Sequence, residues 1–77
     1  MIMYDHVVKK LIEEVEGLKG YYKMREVAIH KQDEEVAFWL QRIIEDERTH
    51  VEWIWKYLKE HGADTREVDE MCHEVLE

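Results

Sequence analysis

The chain has 77 residues, 39% of them charged and 45% hydrophobic, with a formal net charge of −8. That length holds one small domain with a limited core, for which self-association is a common route to stability. The acidic balance argues against a nucleic-acid binder, no apolar run approaches the ~20 residues of a membrane span, and the single cysteine, Cys72, excludes an intrachain disulfide or a four-cysteine metal site.

The opening Met1-Ile2-Met3-Tyr4 lacks the basic-then-apolar pattern of a secretion signal, so a cytoplasmic protein is expected. The first element is a helix over about residues 3–30. Tyr4, Val7, Leu11, Glu14, Leu18, Tyr21, Arg25 and Ala28 recur in steps of three and four and share one helix face. Gly17 and Gly20 lie within this helix, which is expected to run through them because the apolar stripe stays in phase. They either admit a neighbouring helix closely or are simply tolerated.

A break at residues 30–33 ends this helix, and Asp33 is placed to cap the second, over about residues 33–61. Its stripe is Val36, Leu40, Ile43, Glu47, His50, Ile54 and Tyr57, and Gly62 after His61 is a helix stop. A third helix over about residues 65–76 is expected to start at Asp64 or Thr65, with Glu67 in capping-box spacing from Asp64. Val68, Met71, Cys72, Val75 and Leu76 give it one apolar face. The expected fold is all-α: an antiparallel two-helix hairpin and a short C-terminal helix, dimerising into a four-helix bundle.

Polar residues interrupt both stripes at informative positions. A carboxylate in an apolar seam is costly unless it is paired, hydrogen-bonded or metal-bound. Glu14 interrupts the first seam, and Glu47 with His50 the second. Glu47-Arg48-Thr49-His50 is a Glu-x-x-His motif, whose two end residues share a helix face. Carboxylate oxygen and imidazole nitrogen together suit iron or manganese.

The hairpin brings these residues to one depth. With the turn centred near residues 31–32, Glu14 lies about 17 residues back and Glu47 and His50 about 15 and 19 forward, all roughly 25 Å from the turn. Leu11 is then expected to face Ile54, and Leu18 to face Ile43. Di-iron bundles use a Glu from each of two helices and a Glu-x-x-His from each of the other two. One chain supplies half of that set, so a twofold homodimer supplies the whole.

On these residues the chain resembles the ferritin-like superfamily, over roughly residues 7–60. Leu11-Ile12-Glu13-Glu14-Val15-Glu16 is similar to the first-helix motif of encapsulated ferritins, half-size proteins that build an iron site between subunits. Glu45-Asp46-Glu47-Arg48-Thr49-His50 is similar to the second-helix motif of encapsulated ferritins and rubrerythrins. Tyr21, one heptad after Glu14, adds similarity to the first half of a rubrerythrin bundle.

The resemblance implies that Glu14, Glu47 and His50 are iron ligands, with two irons per dimer, and that Glu13 and Glu16 serve secondary metal binding or uptake. Manganese or zinc are alternatives to iron. It implies ferroxidase-type oxidation of Fe²⁺ by dioxygen or peroxide, by a homodimer or an assembly of dimers. The alternatives are a rubrerythrin-like, peroxide-reducing di-iron protein and a non-enzymatic helical assembly or adaptor protein with structural metal or none. The alignment to encapsulated ferritins needs about three extra residues near the turn, a local departure of the kind loops tolerate. No rubredoxin-like cysteine set is present, which argues against complete rubrerythrin peroxidase machinery, and no encapsulin-targeting tail is recognisable, so association with a protein shell is not expected.

The remaining candidates have plainer readings. Glu14 shares its stretch with Glu13 and Glu16, and its plainer reading is one of several solvated acids; that of Glu47 and His50 is two polar residues on a partly exposed helix. His6, His30 and His61 lie near helix ends, and Cys72-His73 is too small a set for a soft metal. Trp39, Trp53 and Trp55 cannot all share one hairpin face, so burial against the third helix or another subunit is expected.

Overall fold

A computed structural model describes residues 4–77 as three helices: α1 (Asp5–His30), α2 (Glu34–Glu60) and α3 (Arg66–Leu76). The expected start of the first helix at residue 3 lies outside the described residues. α1 runs unbroken through Gly17 and Gly20, and a side chain at either would meet nothing within 4 Å. The glycines are thus tolerated within the chain, and no neighbouring helix of this chain uses the space. Among the described residues no helix is long and apolar enough to cross a membrane.

The connections follow from local hydrogen bonding. Asp33 N–H donates to the Ala28 carbonyl at 2.8 Å, closing the hairpin turn, while Gln32 takes a left-handed φ of 62°. Asp33 Oδ1 then accepts from Val36 N–H at 3.2 Å, the expected cap of α2. At the far end Gly62 adopts φ 76°, Ala63 N–H reaches the Leu58 carbonyl at 3.0 Å and Gly62 N–H the Lys59 carbonyl at 3.2 Å. This paired pattern is a Schellman motif, and its left-handed residue favours glycine.

The start of α3 differs from expectation. Thr65 takes the N-cap position without a side-chain cap, and Asp64 accepts from the Arg66 backbone and guanidinium rather than forming a box with Glu67. Asp64 stands one residue too early for the cap, so its carboxylate reaches only the first helical N–H.

The core lies between all three helices. Leu11, Val15 and Leu18 of α1 meet Ile44, Val51 and Leu58 of α2 and Val68, Cys72 and Val75 of α3. The single stripe expected on α2 is therefore corrected. Leu40 is buried, Glu47 and Ile54 are half-buried, but Val36, Ile43, His50 and Tyr57 are exposed. Leu18 shares the core with Ile44, whereas Ile43 is open to solvent; Leu11 and Ile54 do belong to one cluster. The reason is α3, which draws Ile44, Val51 and Leu58 inward and turns the core-facing arc of α2 towards itself.

Polar contacts fix α3 in place. Arg48 donates to the Val75 and Leu76 carbonyls at 3.1 and 2.7 Å, and Tyr22 Oη donates to the Val75 carbonyl at 2.7 Å. Helix C-termini leave carbonyls without intrahelical partners, and these donors satisfy two of them. On the other flank Trp55 Nε1 donates to Asp69 at 2.9 Å, with its ring edge-on to His73 and Lys59 above it.

Candidate metal centre

Glu14 comes from the middle of α1, and Glu47 and His50 from one face of α2. His50 Nδ1 lies 3.6 Å from Glu14 Oε1 and 3.4 Å from Glu47 Oε1. One ligand atom from each of the three residues falls within 4.8 Å of the others. The depth matching read from the hairpin is thus realised in the folded chain.

The electrostatics separate the two carboxylates. The side-chain contact with Glu47 is the main cause holding the Glu14 carboxyl below its ordinary value, and Lys10 acts in the same direction from 3.5 Å. Burial pushes the Glu47 carboxyl up, and Glu14 beside it adds to the rise. Two carboxylates close together cannot both ionise freely without a cation. Glu47 Oε1 is also a buried oxygen with no hydrogen-bond partner among the described residues. Such an atom is costly unless something positive or protic meets it.

This donor set fits a first-row divalent metal. It offers two carboxylate oxygens and one imidazole nitrogen, the mix that suits iron or manganese and that zinc accepts. Among the described residues no other group of three histidine, cysteine or acidic side chains converges as closely.

The other candidates fall outside it. Glu13 and Glu16 are exposed on α1 and do not join the cluster. His6 and His30 are exposed, and His61 stacks on Tyr57 and bonds its carbonyl. Cys72 is buried in the core with its thiol pushed up to about 11 by burial, while His73 lies against Trp55. Trp55 packs against α3 as expected, but Trp39 and Trp53 remain exposed at 62% and 67%.

Two neighbours of the site were not singled out in the sequence. Lys10 is one helical turn before Glu14, a spacing that signals an ion pair. Arg48 lies between the two motif residues, yet its partners are on α3, and no local pattern announces so distant a contact. Comparison with family models, curated proteins and solved structures finds no match for this chain.

Proposed function

We propose that Glu14, Glu47 and His50 form half of a ferritin-like di-iron carboxylate centre. A second copy of the chain completes it, so that two α1–α2 hairpins make a four-helix bundle. The observation that carries this reading is the convergence of three ligand atoms from two helices around a buried, unpartnered Glu47 oxygen. In structural terms α3 leaves room for a partner: Arg48 reaches α3, and His50, two residues on, points roughly 200° away round the helix.

Each residue has a definite part. Glu14 and Glu47 supply carboxylate oxygens, and His50 offers a neutral ring nitrogen. Lys10 neutralises Glu14 in the metal-free site and swings out when a cation arrives; its side chain is 61% exposed and free to do so. Bound ferrous iron would supply electrons to dioxygen or peroxide, which makes the activity ferroxidase-type oxidation of Fe²⁺.

A non-enzymatic assembly role is the second reading, supported by the exposed aromatic surface at Phe38, Trp39 and Trp53. Anaerobic titration with Fe²⁺ separates the two. The ferroxidase reading expects iron binding that His50→Ala and Glu47→Ala each reduce at least tenfold, while His30→Ala and His61→Ala leave it unchanged. Oxygen consumption on admitting air then follows iron content. Equal losses in all four variants, or iron bound without turnover, remove the ferroxidase reading.

A further inference from the structure

α2 carries two adjacent seams, and the chain itself fills only one. The inner seam of Leu40, Ile44, Glu47, Val51, Ile54 and Leu58 faces α1 and α3. The outer seam has Val36, Ile43, His50 and Tyr57 at one heptad position and Trp39, Asp46 and Trp53 at the other. Its steps alternate three and four along most of the helix, the spacing of a coiled-coil a/d seam. All seven outer residues are exposed, and five of them are large and apolar. Isolated exposed apolar residues are ordinary, but a continuous seam of them marks an association surface. Only Asp46 and His50 interrupt it.

We propose that the outer seam packs against the same seam of a second copy, antiparallel, in the register that seats Asp46 against the partner's His50. The shared-centre reading carries the role given to Asp46; the seam together with the Asp46–His50 pair carries the register. Hydrogen-bonding complementarity selects the direction. A parallel pair stacks each residue on its own copy, placing Asp46 on the partner's Asp46 and His50 on the partner's His50. An antiparallel pair sets one heptad position against the other. Centred on residue 48, it pairs Trp39 with the partner's Tyr57, Ile43 with the partner's Trp53, and Asp46 with the partner's His50. Moving the centre half a heptad towards the turn seats Asp46 against the partner's Ile43 and leaves both polar groups without a polar partner.

The register that pairs Asp46 with the partner's His50 also puts the twofold axis between Glu47 and His50. Asp46 thereby becomes a residue of the partner's site. His50 turns Nδ1 towards Glu14 and Glu47, leaving Nε2 for the carboxylate of the partner's Asp46. A carboxylate behind a ligating imidazole fixes its tautomer and orientation. Asp46 is in this sense a positioning residue, and it adds specificity to the interface.

The test uses Ile43→Cys and Trp53→Cys as separate variants of the full chain, mixed to allow subunit exchange and treated with a short thiol cross-linker. In the proposed register the two unlike positions are neighbours. Like positions are separated by roughly 15 Å along the helix axis, beyond a linker of about 8 Å. Cys72 is buried and stays silent. Cross-linked dimer in the mixture at least tenfold above either variant alone is expected. Efficient cross-linking of one variant with itself, or a monomeric solution mass, overturns the register.

A second measurement does not depend on new cysteines. Asp46→Lys should weaken the dimer at least tenfold and lower affinity for Mn²⁺, while Asp46→Glu restores both. Unchanged dissociation of Asp46→Lys overturns the proposal. Cross-linking is scored in chelator-treated protein, and Mn²⁺ and Fe²⁺ binding separately. Expected cross-links without metal binding uphold the register and remove the iron reading. Metal bound by a monomer overturns the register and the shared centre, leaving a site within one chain.

Discussion

Arg48 Nη2 donates to the Leu76 carbonyl at 2.7 Å, tying the helix that carries the candidate ligands to the end of α3. Arg48 Nη1 also reaches Val75 and Tyr22, so one guanidinium serves three acceptors. Hydrogen bonds from charged donors contribute more than neutral ones. Arg48→Met is expected to lower unfolding free energy by about 2 kcal/mol. Amide exchange should accelerate first in α3. Uniform acceleration over all three helices would show that α3 is not separately held.

The Schellman turn makes a sharper prediction about two glycines. Gly62 takes a φ of 76°, where a Cβ is strained, so Gly62→Ala should cost about 1 kcal/mol. Gly17 lies inside α1 with nothing within 4 Å of an added Cβ, so Gly17→Ala should raise stability by up to about 1 kcal/mol. Denaturant midpoints of the two variants are expected to move in opposite directions.

Cys72 gives an alkaline signature. Burial holds its thiol at about 11, against an ordinary value of 9.0. The folded chain therefore keeps a proton that the unfolded chain loses, and stability falls as pH rises from about 9 to about 11. The full contribution is on the order of 3 kcal/mol. Cys72→Ala carries a constant penalty for the lost sulfur but lacks this slope. Comparing urea unfolding of both proteins between pH 8 and 10.5 checks it: parallel curves would mean that Cys72 does not keep its proton.

Much of this was legible in the sequence because the informative features are local. Asp33, Gly62 and the apolar face of α3 depend on neighbours a few residues away. Glu14, Glu47 and His50 were legible for a different reason: a hairpin with one short turn turns sequence distance into depth. The division of α2 into two seams was hidden. Steps of three and four allow Leu40 and Ile43 to be drawn into one stripe, and only the docking of α3 shows that Ile44 turns inward and Ile43 outward. Arg48 was hidden likewise, because its partners are fixed by tertiary packing and not by helical spacing.

Metal binding and assembly are linked in the proposed dimer. In the proposed dimer, each site face brings Glu14 and Glu47 near the same residues of the partner subunit. Four carboxylates then gather near one axis, and their repulsion opposes association until protons or cations relieve it. Glu47 already feels part of this repulsion in the single chain, where burial and the neighbouring Glu14 push its carboxyl up. Fe²⁺ ligation replaces repulsion with attraction and occurs only when the halves are together. Metal must therefore strengthen the dimer, by an amount set by its concentration relative to its dissociation constant. At a free Fe²⁺ concentration of about 100 times that constant, one site contributes roughly 2.7 kcal/mol, close to a hundredfold in dimer dissociation. Glu14→Gln keeps the shape of the site, replaces two of the four carboxylates with neutral amides and withdraws a ligand. It is expected to dimerise more tightly than the wild type without metal and to respond little to iron. Sedimentation equilibrium under anaerobic conditions, with and without Fe²⁺, measures both proteins. Wild-type dissociation that iron leaves unchanged, while iron still binds Glu47 and His50, would move the centre out of the interface and into a single chain.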